Sequence, residues 1–235
     1  MVVGDPGYWA SHFTSIDDRL LARIIALWPQ CLSVLPPNPE EDVITFNLRS
    51  LLTKDSEARL IFYHLEYQFE PEGFTPDGLA FSKGQIDLAV LLDQGCTHYL
   101  AYECKRLNVH FSGARQSLAT PYVNEGVKRF ITEQYAEGLP VGCMLGYVLD
   151  GDVEFARGRV HATIDKNKDA IGLTNGPVVA PSIANVERFT TDHARPATGS
   201  VIHVRHSLLP FPKIIPTPSK KAGMEEDAAP RGHPP

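Results

Sequence analysis

Two carboxylates and one ammonium in the middle of the chain have the types and the spacing that chemistry needs. Asp87 lies in the apolar run 86–92, while Glu103 and Lys105 lie at the end of a second apolar run, 98–104. A Gln-Gly dipeptide between the runs is typical of a turn, so both runs are predicted as β-strands. Because residues two apart leave the same face of a strand, the side chains of Glu103 and Lys105 lie together.

A carboxylate within an apolar strand needs a partner, because an isolated buried charge is very unfavourable. If the two strands are neighbours, Asp87 lies beside Glu103 and Lys105 supplies a cation. Two carboxylates and an ammonium at the end of a sheet are typical of a site for a divalent metal ion, which binds oxygen ligands. A structural ion pair between Glu103 and Lys105 in an unrelated α/β enzyme is an alternative interpretation.

The pattern resembles the signature of the PD-(D/E)XK nuclease superfamily, which has the restriction-endonuclease-like fold. The resemblance covers about residues 39–149 and implies a metal-dependent endonuclease that hydrolyses phosphodiester bonds of DNA. The residues that carry it are Ile86-Asp87, an interval of apolar strand, and Glu103-Cys104-Lys105, with Gln85-Ile86-Asp87 in place of the Pro-Asp pair.

The resemblance also implies roles for individual residues. Asp87 and Glu103 would be the main ligands of Mg²⁺, with Mn²⁺ as a substitute, and the backbone carbonyl of Cys104 would be a third ligand. Lys105 would orient or help to deprotonate the attacking water and would stabilise negative charge on the phosphate. Asp87, Glu103 and Lys105 are therefore the predicted catalytic residues.

A helix that precedes the strands offers a further acidic ligand. Asn38 as N-cap and Pro39 as first helical residue predict where this helix starts. Glu41 lies in line with the predicted buried stripe at positions 44, 48 and 52. The resemblance implies that such an acid reaches the metal, with Glu41 the first choice and Glu40 the alternative. The other interpretation is that the acids at 40–42 only favour the positive end of the helix dipole.

The predicted order of elements gives the fold class. We expect an α/β protein with a mixed central sheet flanked by helices, and the resemblance implies the α-β-β-β-α-β core of the restriction-endonuclease-like fold, with an extra C-terminal strand pair. The segments 70–83, 108–117 and 172–182 are predicted as loops or connections because they are polar or rich in Gly and Pro. The helices are predicted at 39–54, 122–135 and 150–168, and the strands at 60–69, 86–92, 98–104, 141–149, 186–191 and 201–209.

Three parts of the chain are expected. Residues 1–38 are an N-terminal arm followed by a helix that starts near Ser15 and ends near Pro29. Residues 39–213 are the nuclease domain. Residues 214–235 are a disordered tail, because their composition is Pro, Ser, Lys, Glu, Ala and Gly.

The composition is that of a soluble globular protein, with 43% hydrophobic and 21% charged residues among 235. No apolar run approaches the roughly 20 residues that span a bilayer, and no signal peptide is expected at the N-terminus. The four cysteines have no C-x-x-C spacing, and those at 104 and 143 are predicted to be buried, which fits a reducing cytoplasm. We therefore expect a cytoplasmic protein without membrane contact.

The net charge of −6 argues against a generally basic DNA-binding surface, although a cleft can still be positive. Four cations near the predicted site are candidates for the DNA backbone: Arg106, Arg115, Lys128 and Arg129. Arg129 lies four residues after Glu125, so an ion pair within the helix is an alternative for it.

The leading hypothesis is an endonuclease acting in restriction or phage defence. The alternative is a non-catalytic, DNA-contacting or structural subunit of a larger defence or repair complex. Protein partners in such a complex and a homodimer are further expectations.

Overall fold

The computed structural model describes residues 6–212, with side chains from residue 10 onward. The predicted tail at 214–235 therefore lies outside the described residues. The helices are α1 (Pro6–Val34), α2 (Glu41–Leu52), α3 (Ala119–Pro121), α4 (Lys128–Ile131) and α5 (Val153–Lys166), with a 3₁₀ turn at Ala58–Leu60 and a π-helical segment at Tyr122–Val127. The strands are β1 (His64–Phe69), β2 (Glu72–Phe74), β3 (Ala80–Ser82), β4 (Ile86–Leu91), β5 (Tyr99–Leu107), β6 (Val109–Phe111), β7 (Ala114–Gln116), β8 (Val141–Val148), β9 (Leu173–Ile183), β10 (Val186–Ala194) and β11 (Val201–Pro210).

Seven strands form one mixed sheet in the order β1-β4-β5-β8-β11-β10-β9. Strands β1, β4 and β5 are antiparallel neighbours, β8 is parallel to β5, and β11 is parallel to β8. Helices pack against this sheet, so the predicted α/β class with a mixed central sheet is confirmed. None of the helices within residues 6–212 has both the length and the apolar character that a bilayer crossing requires.

The strands predicted to carry the chemistry are present and adjacent. Strand β4 pairs antiparallel with β5, with Leu88 opposite Tyr102 and Leu91 opposite Tyr99. The predicted strand at 141–149 is β8, and all of its residues are buried. A fully buried strand between two parallel neighbours is apolar on both faces, which is why its sequence is a continuous apolar run.

Helix α1 is longer than the sequence predicts. It starts at Pro6 rather than near Ser15, and it continues past Pro29. A proline inside a helix removes one hydrogen bond, so packing on both sides must hold the helix together. Trp28 stacks on Tyr147 with ring centroids 5.8 Å apart, and Cys31 is fully buried. These contacts with the core stabilise α1 beyond Pro29, where the sequence predicts that the helix ends.

Three segments predicted as loops contain strands. The segments 70–83 and 108–117 form the hairpins β2–β3 and β6–β7, whose strands of three residues are too short to give a periodic signal. The prediction of a loop at 172–182 was wrong, because this segment is β9, the edge strand of the sheet. Its prolines, Pro177 and Pro181, are tolerated there because an edge strand has one unpaired side. The C-terminal extension is therefore three strands, not two.

The helical segment after β5 ends at Ile131, four residues earlier than predicted. Arg195 explains how the chain leaves the helix. Its guanidinium is 1% exposed and donates hydrogen bonds to the backbone carbonyls of Phe130, Ala136 and Leu139, at 3.0, 2.7 and 2.9 Å. One buried cation thus satisfies carbonyls at a helix end and in the turn that follows, where backbone acceptors lack partners.

The buried histidines of the C-terminal strands also have structural roles. His193 Nδ1 lies 2.8 Å from the carbonyl of Ile171, so it is the donor and Nε2 is the acceptor. Thr191 Oγ1 lies 2.7 Å from His193 Nε2 and 2.9 Å from His206 Nε2, and His206 Nδ1 lies 3.0 Å from the hydroxyl of Tyr122. One arrangement of neutral tautomers gives both ring nitrogens of each of these two histidines a hydrogen-bond partner.

Replacing Arg195 with Met should destabilise the protein strongly. The three carbonyls would lose their donor inside the core, at a cost of about 3 to 5 kcal/mol. The matched control is Arg159→Met on the exposed face of α5, which should change the free energy of unfolding by less than about 0.5 kcal/mol. Urea denaturation measures both, and an equal effect of the two substitutions would contradict this role of Arg195.

Candidate active site

The candidate site lies where β4 and β5 separate. Leu88 and Tyr102 form the last backbone pair of the two strands before Asp87. Beyond this pair, Asp87 Oδ2 accepts a hydrogen bond of 2.7 Å from the backbone N–H of Cys104. The carboxylate of Asp87 thus accepts a hydrogen bond from β5 at the point where the backbones of β4 and β5 stop pairing. The ends of the two strands border a polar cleft.

The neighbouring edge strand is strained at the same level. Tyr67 and Phe69 of β1 pair with Leu88 and Ile86, so the intervening Gln68 lies opposite Asp87. Gln68 has φ of 56°, in the left-handed region that a residue with a side chain rarely adopts within a strand. Such strain collects at functional sites, because the surrounding structure must hold it in place.

Lys105 is the centre of the site. Its ammonium Nζ lies 2.8 Å from Glu103 Oε1, 2.9 Å from Glu41 Oε1 and 4.0 Å from Asp87 Oδ2. It also donates to the carbonyl of Cys104 at 2.9 Å. The helix α2 therefore brings Glu41 to the same cation as the carboxylates of β4 and β5, at the place that helical spacing predicts.

Glu41 is fixed at both of its oxygen atoms. Oε1 contacts the ammonium of Lys105, and Oε2 accepts a hydrogen bond of 2.9 Å from the backbone N–H of Arg106. The alternative ligand, Glu40, is the N-cap residue of α2, and its exposed carboxylate pairs with Arg106 at 2.6 Å instead. The structure therefore brings Glu41, and not Glu40, to Lys105.

Glu103 is the most deeply buried of the three acids, with a side chain that is 0% exposed. Its Oε1 contacts both Lys105 and the guanidinium of Arg129, the latter at 2.7 Å. Its Oε2 is buried and has no hydrogen-bond partner among residues 6–212. A buried carboxylate oxygen without a partner is unfavourable, so Oε2 is free to accept a hydrogen bond or to bind a cation.

Charge is not balanced in this cluster. Three carboxylates face two cations, Lys105 and Arg129. Burial, and next the charge of Glu103, raise the pKa of Asp87 to about 7, and burial raises the pKa of Glu103. Burial opposes the charge of Lys105, yet the surrounding carboxylates together raise the pKa of its ammonium. Lys105 is therefore protonated at neutral pH, whereas Asp87 is only partly ionised at that pH.

The π-helical segment at Tyr122–Val127 sets the position of Arg129. Gly126 lies directly over the site: a Cβ atom placed there would meet Met144 Cε at 2.5 Å and Glu103 Cγ at 3.5 Å. A residue without a side chain lets the helix approach β5 and β8 closely. Arg129 lies in the helix that directly follows this π-turn, and π-turns occur frequently at functional sites.

The four cations predicted to contact DNA have different surroundings. Arg106 pairs with Glu40 and, with Lys105, lines a cleft of about 420 Å³. Arg115 pairs with Asp150 and Asp152 and lies over the ring of Phe155. Lys128 is exposed. Arg129 contacts Glu103, so the predicted pair with Glu125 is not its ion pair in the structure.

The side chains around Lys105 fit a hard divalent cation. The available donors are carboxylate oxygens of Asp87, Glu103 and Glu41 and the carbonyl of Cys104, and Mg²⁺ prefers oxygen ligands. Glu103 Oε2 is a buried oxygen without a partner, and the excess negative charge favours a cation. In the described part of the chain, no three His, Cys, Asp or Glu side chains are arranged as a metal-binding group. The ammonium of Lys105 contacts the carboxylates of Glu41 and Glu103.

Sequence reasoning missed two residues of the site. Tyr135 was placed on the predicted helix, but it lies in the turn after Ile131 and its hydroxyl contacts Arg129 at 2.8 Å. Gln68 carries no signal in the sequence, because its strained backbone depends on the pairing of β1 with β4.

Comparisons of the chain with protein-family models, with curated proteins and with solved structures found no match.

Asp87→Asn should stabilise the metal-free protein at pH 8. The pKa of Asp87 is raised on folding, so the stability that its protonation provides is lost as the pH rises through about 7. Asparagine keeps an oxygen for the N–H of Cys104 and removes the excess charge. We expect a gain on the order of 1 to 3 kcal/mol at pH 8 that shrinks toward pH 5.

Urea unfolding in EDTA at the two pH values measures this gain. The matched control is Asp165→Asn on the exposed face of α5, which should have little effect at either pH. A loss of stability in Asp87→Asn at pH 8 would contradict the charge imbalance.

Proposed function

We propose that this protein is a metal-dependent nuclease of the PD-(D/E)XK type that hydrolyses phosphodiester bonds of DNA. The observation that carries the proposal is the convergence of Glu41, Asp87 and Glu103 on Lys105 at the point where β4 and β5 part. The order of elements supports it, because α2, β1, β4, β5, the helical segment 119–131 and β8 follow the α-β-β-β-α-β order of the restriction-endonuclease-like core.

Asp87, Glu103 through its Oε2, and the carbonyl of Cys104 would hold Mg²⁺, with Glu41 as a further oxygen ligand; Mn²⁺ suits the same donors. When bound, the ion would supply Lewis-acid stabilisation of the phosphate and a more acidic water. The protein contributes the fixed positions of these oxygens. Asp87 is held by the N–H of Cys104, and Glu41 by the N–H of Arg106.

Lys105 has a separate role in the proposed reaction. It would orient the attacking water or help to deprotonate it, and it would stabilise negative charge on the phosphate. In the structure the same ammonium is held by Glu41 and Glu103. Lys105 therefore balances the carboxylates before substrate binds and faces the phosphate once their charge is compensated by other means.

The acidic lining of the cleft favours a second candidate function. Glu40, Asp42 and Glu125 border the cleft beside Lys105, and Arg106 is already paired with Glu40. Such a surface gives weak contacts to a DNA backbone, whose affinity depends on free cations. In the second candidate the protein is a non-catalytic, DNA-contacting or structural subunit of a larger defence or repair complex, and a partner supplies most of the phosphate contacts.

Incubation of the purified protein with linear, circular and single-stranded DNA and with RNA tests the proposal. Cleavage of DNA that requires Mg²⁺ or Mn²⁺ and stops in EDTA is expected. Cleavage of RNA alone would contradict DNA as the substrate. A protein that cleaves no DNA or RNA substrate with either metal would favour the second candidate.

Lys105→Ala should abolish cleavage and keep the metal response. Loss of a group that orients water and stabilises charge lowers the cleavage rate by at least about 100-fold. Mg²⁺ should still raise the Tm of this variant, because the oxygen ligands remain. Asp87→Ala should lose both cleavage and the shift in Tm.

The matched control is Lys166→Ala at the exposed end of α5, which should cleave at the wild-type rate. Wild-type cleavage by Lys105→Ala in Mg²⁺ would exclude the proposed role of this lysine.

A further inference from the structure

We infer that Arg129, held in place by Tyr135, is a positioning residue that fixes Glu103 by its Oε1 and leaves its Oε2 for the metal. The inference rests on the proposed function and gives Arg129 a role different from contact with the DNA backbone. It also explains why a tyrosine from the turn after α4 reaches the site.

The hydrogen bonds form a continuous series from Glu103 in β5 to Gln85, the residue before β4. Arg129 Nη1 donates to Glu103 Oε1 at 2.7 Å and to the hydroxyl of Tyr135 at 2.8 Å. The hydroxyl of Tyr135 in turn donates to the backbone carbonyl of Gln85, two residues before Asp87. Both hydrogens of Nη1 and both functions of the hydroxyl are used, so each group has one orientation.

Arg129 is the permanent partner of Glu103, and Lys105 is the exchangeable one. Lys105 is shared among Glu41, Glu103 and the carbonyl of Cys104, and in the proposed reaction it turns to the phosphate. Apart from Glu103, Arg129 Nη1 contacts only a neutral hydroxyl among the described side chains. A carboxylate with 0% exposure needs a cation throughout the cycle, because an unpaired buried charge is very unfavourable.

The turn that carries Tyr135 is built to hold it. Glu133 and Ala136 both have positive φ, 58° and 52°, which is strained for residues with side chains. Arg195 holds this turn by donating to the carbonyl of Ala136 at 2.7 Å. The ring of Tyr135 packs edge-on against Phe130, with centroids 6.0 Å apart. The strain is therefore offset by a buried cation and by core packing, and the hydroxyl has little freedom.

These contacts also separate positioning from phosphate binding. Both hydrogens of Arg129 Nη1 are directed at Glu103 and at the hydroxyl of Tyr135, so this nitrogen has no hydrogen left for a phosphate. The support of a metal ligand by an outer residue is worth about 10 to 100-fold in metal affinity. The expected phenotype is therefore a loss of metal affinity and not a loss of DNA affinity.

Calorimetric titration of the full chain with Mg²⁺ tests the inference, using Tyr135→Phe, Arg129→Ala and Arg129→Lys. Tyr135→Phe and Arg129→Ala should weaken the affinity for Mg²⁺ by about 10 to 100-fold, and Arg129→Lys should restore part of it. The KM for DNA should change by less than about 2-fold, because no phosphate contact is lost. The matched controls are the exposed residues Tyr63→Phe and Arg159→Ala, which should titrate as wild type.

Two results would overturn the inference. Wild-type affinity for Mg²⁺ together with a raised KM in Arg129→Ala would make Arg129 a phosphate contact. Wild-type affinity for Mg²⁺ in Tyr135→Phe would show that the tyrosine does not hold the arginine.

A second measurement in EDTA does not depend on metal binding or on cleavage. Arg129→Ala should lower the Tm by roughly 5 °C or more, because Glu103 loses its permanent cation, and adding Glu103→Gln should recover most of the loss. If wild type fails to bind Mg²⁺, the proposed function fails. The Tm values of the single and double variants still decide whether Arg129 holds Glu103. Additive effects of the two substitutions would refute the pairing.

Discussion

The structure depends on the pairing of a fully buried carboxylate, Glu103, with two cations that arrive from different elements. Lys105 comes from the same strand, and Arg129 comes from the helix that follows a π-turn. The carboxylate cannot be left unpaired in the core. The helical segment 119–131 must therefore keep a fixed position on β5, so that Arg129 reaches Glu103. Glu41 and Asp87 then add more negative charge than the two cations balance, and the proposed metal ion would compensate this excess.

Part of the site could be predicted from the sequence because local periodicity determines it. Glu103 and Lys105 share a strand face by their spacing of two, and Glu41 follows the buried stripe of α2, so both placements need only the pattern of the chain. The rest depends on contacts between distant residues. The π-turn before Arg129 and the turn that carries Tyr135 have no periodic signal, and the second is held by a tertiary hydrogen bond from Arg195 to Ala136.

The same distinction applies to the fold. Strand β8 and the strands β4 and β5 were predictable, because each has a strong apolar pattern in the sequence. The length of α1 past Pro29 and the edge strand β9 were not, because packing on Tyr147 and pairing with β10 override the local effect of proline and glycine. Propensity is a weak guide wherever a neighbouring element can supply the missing stability.

The central proposal is that the carboxylates around Lys105 bind a divalent metal ion. Anomalous diffraction from crystals grown with Mn²⁺ tests it most directly. The account predicts one peak within about 2.1 to 2.3 Å of Asp87 and of Glu103 Oε2, with Arg129 still on Oε1 and Lys105 moved away from Glu103. No peak at saturating Mn²⁺, with Lys105 still bound to Glu41 and Glu103, would contradict it.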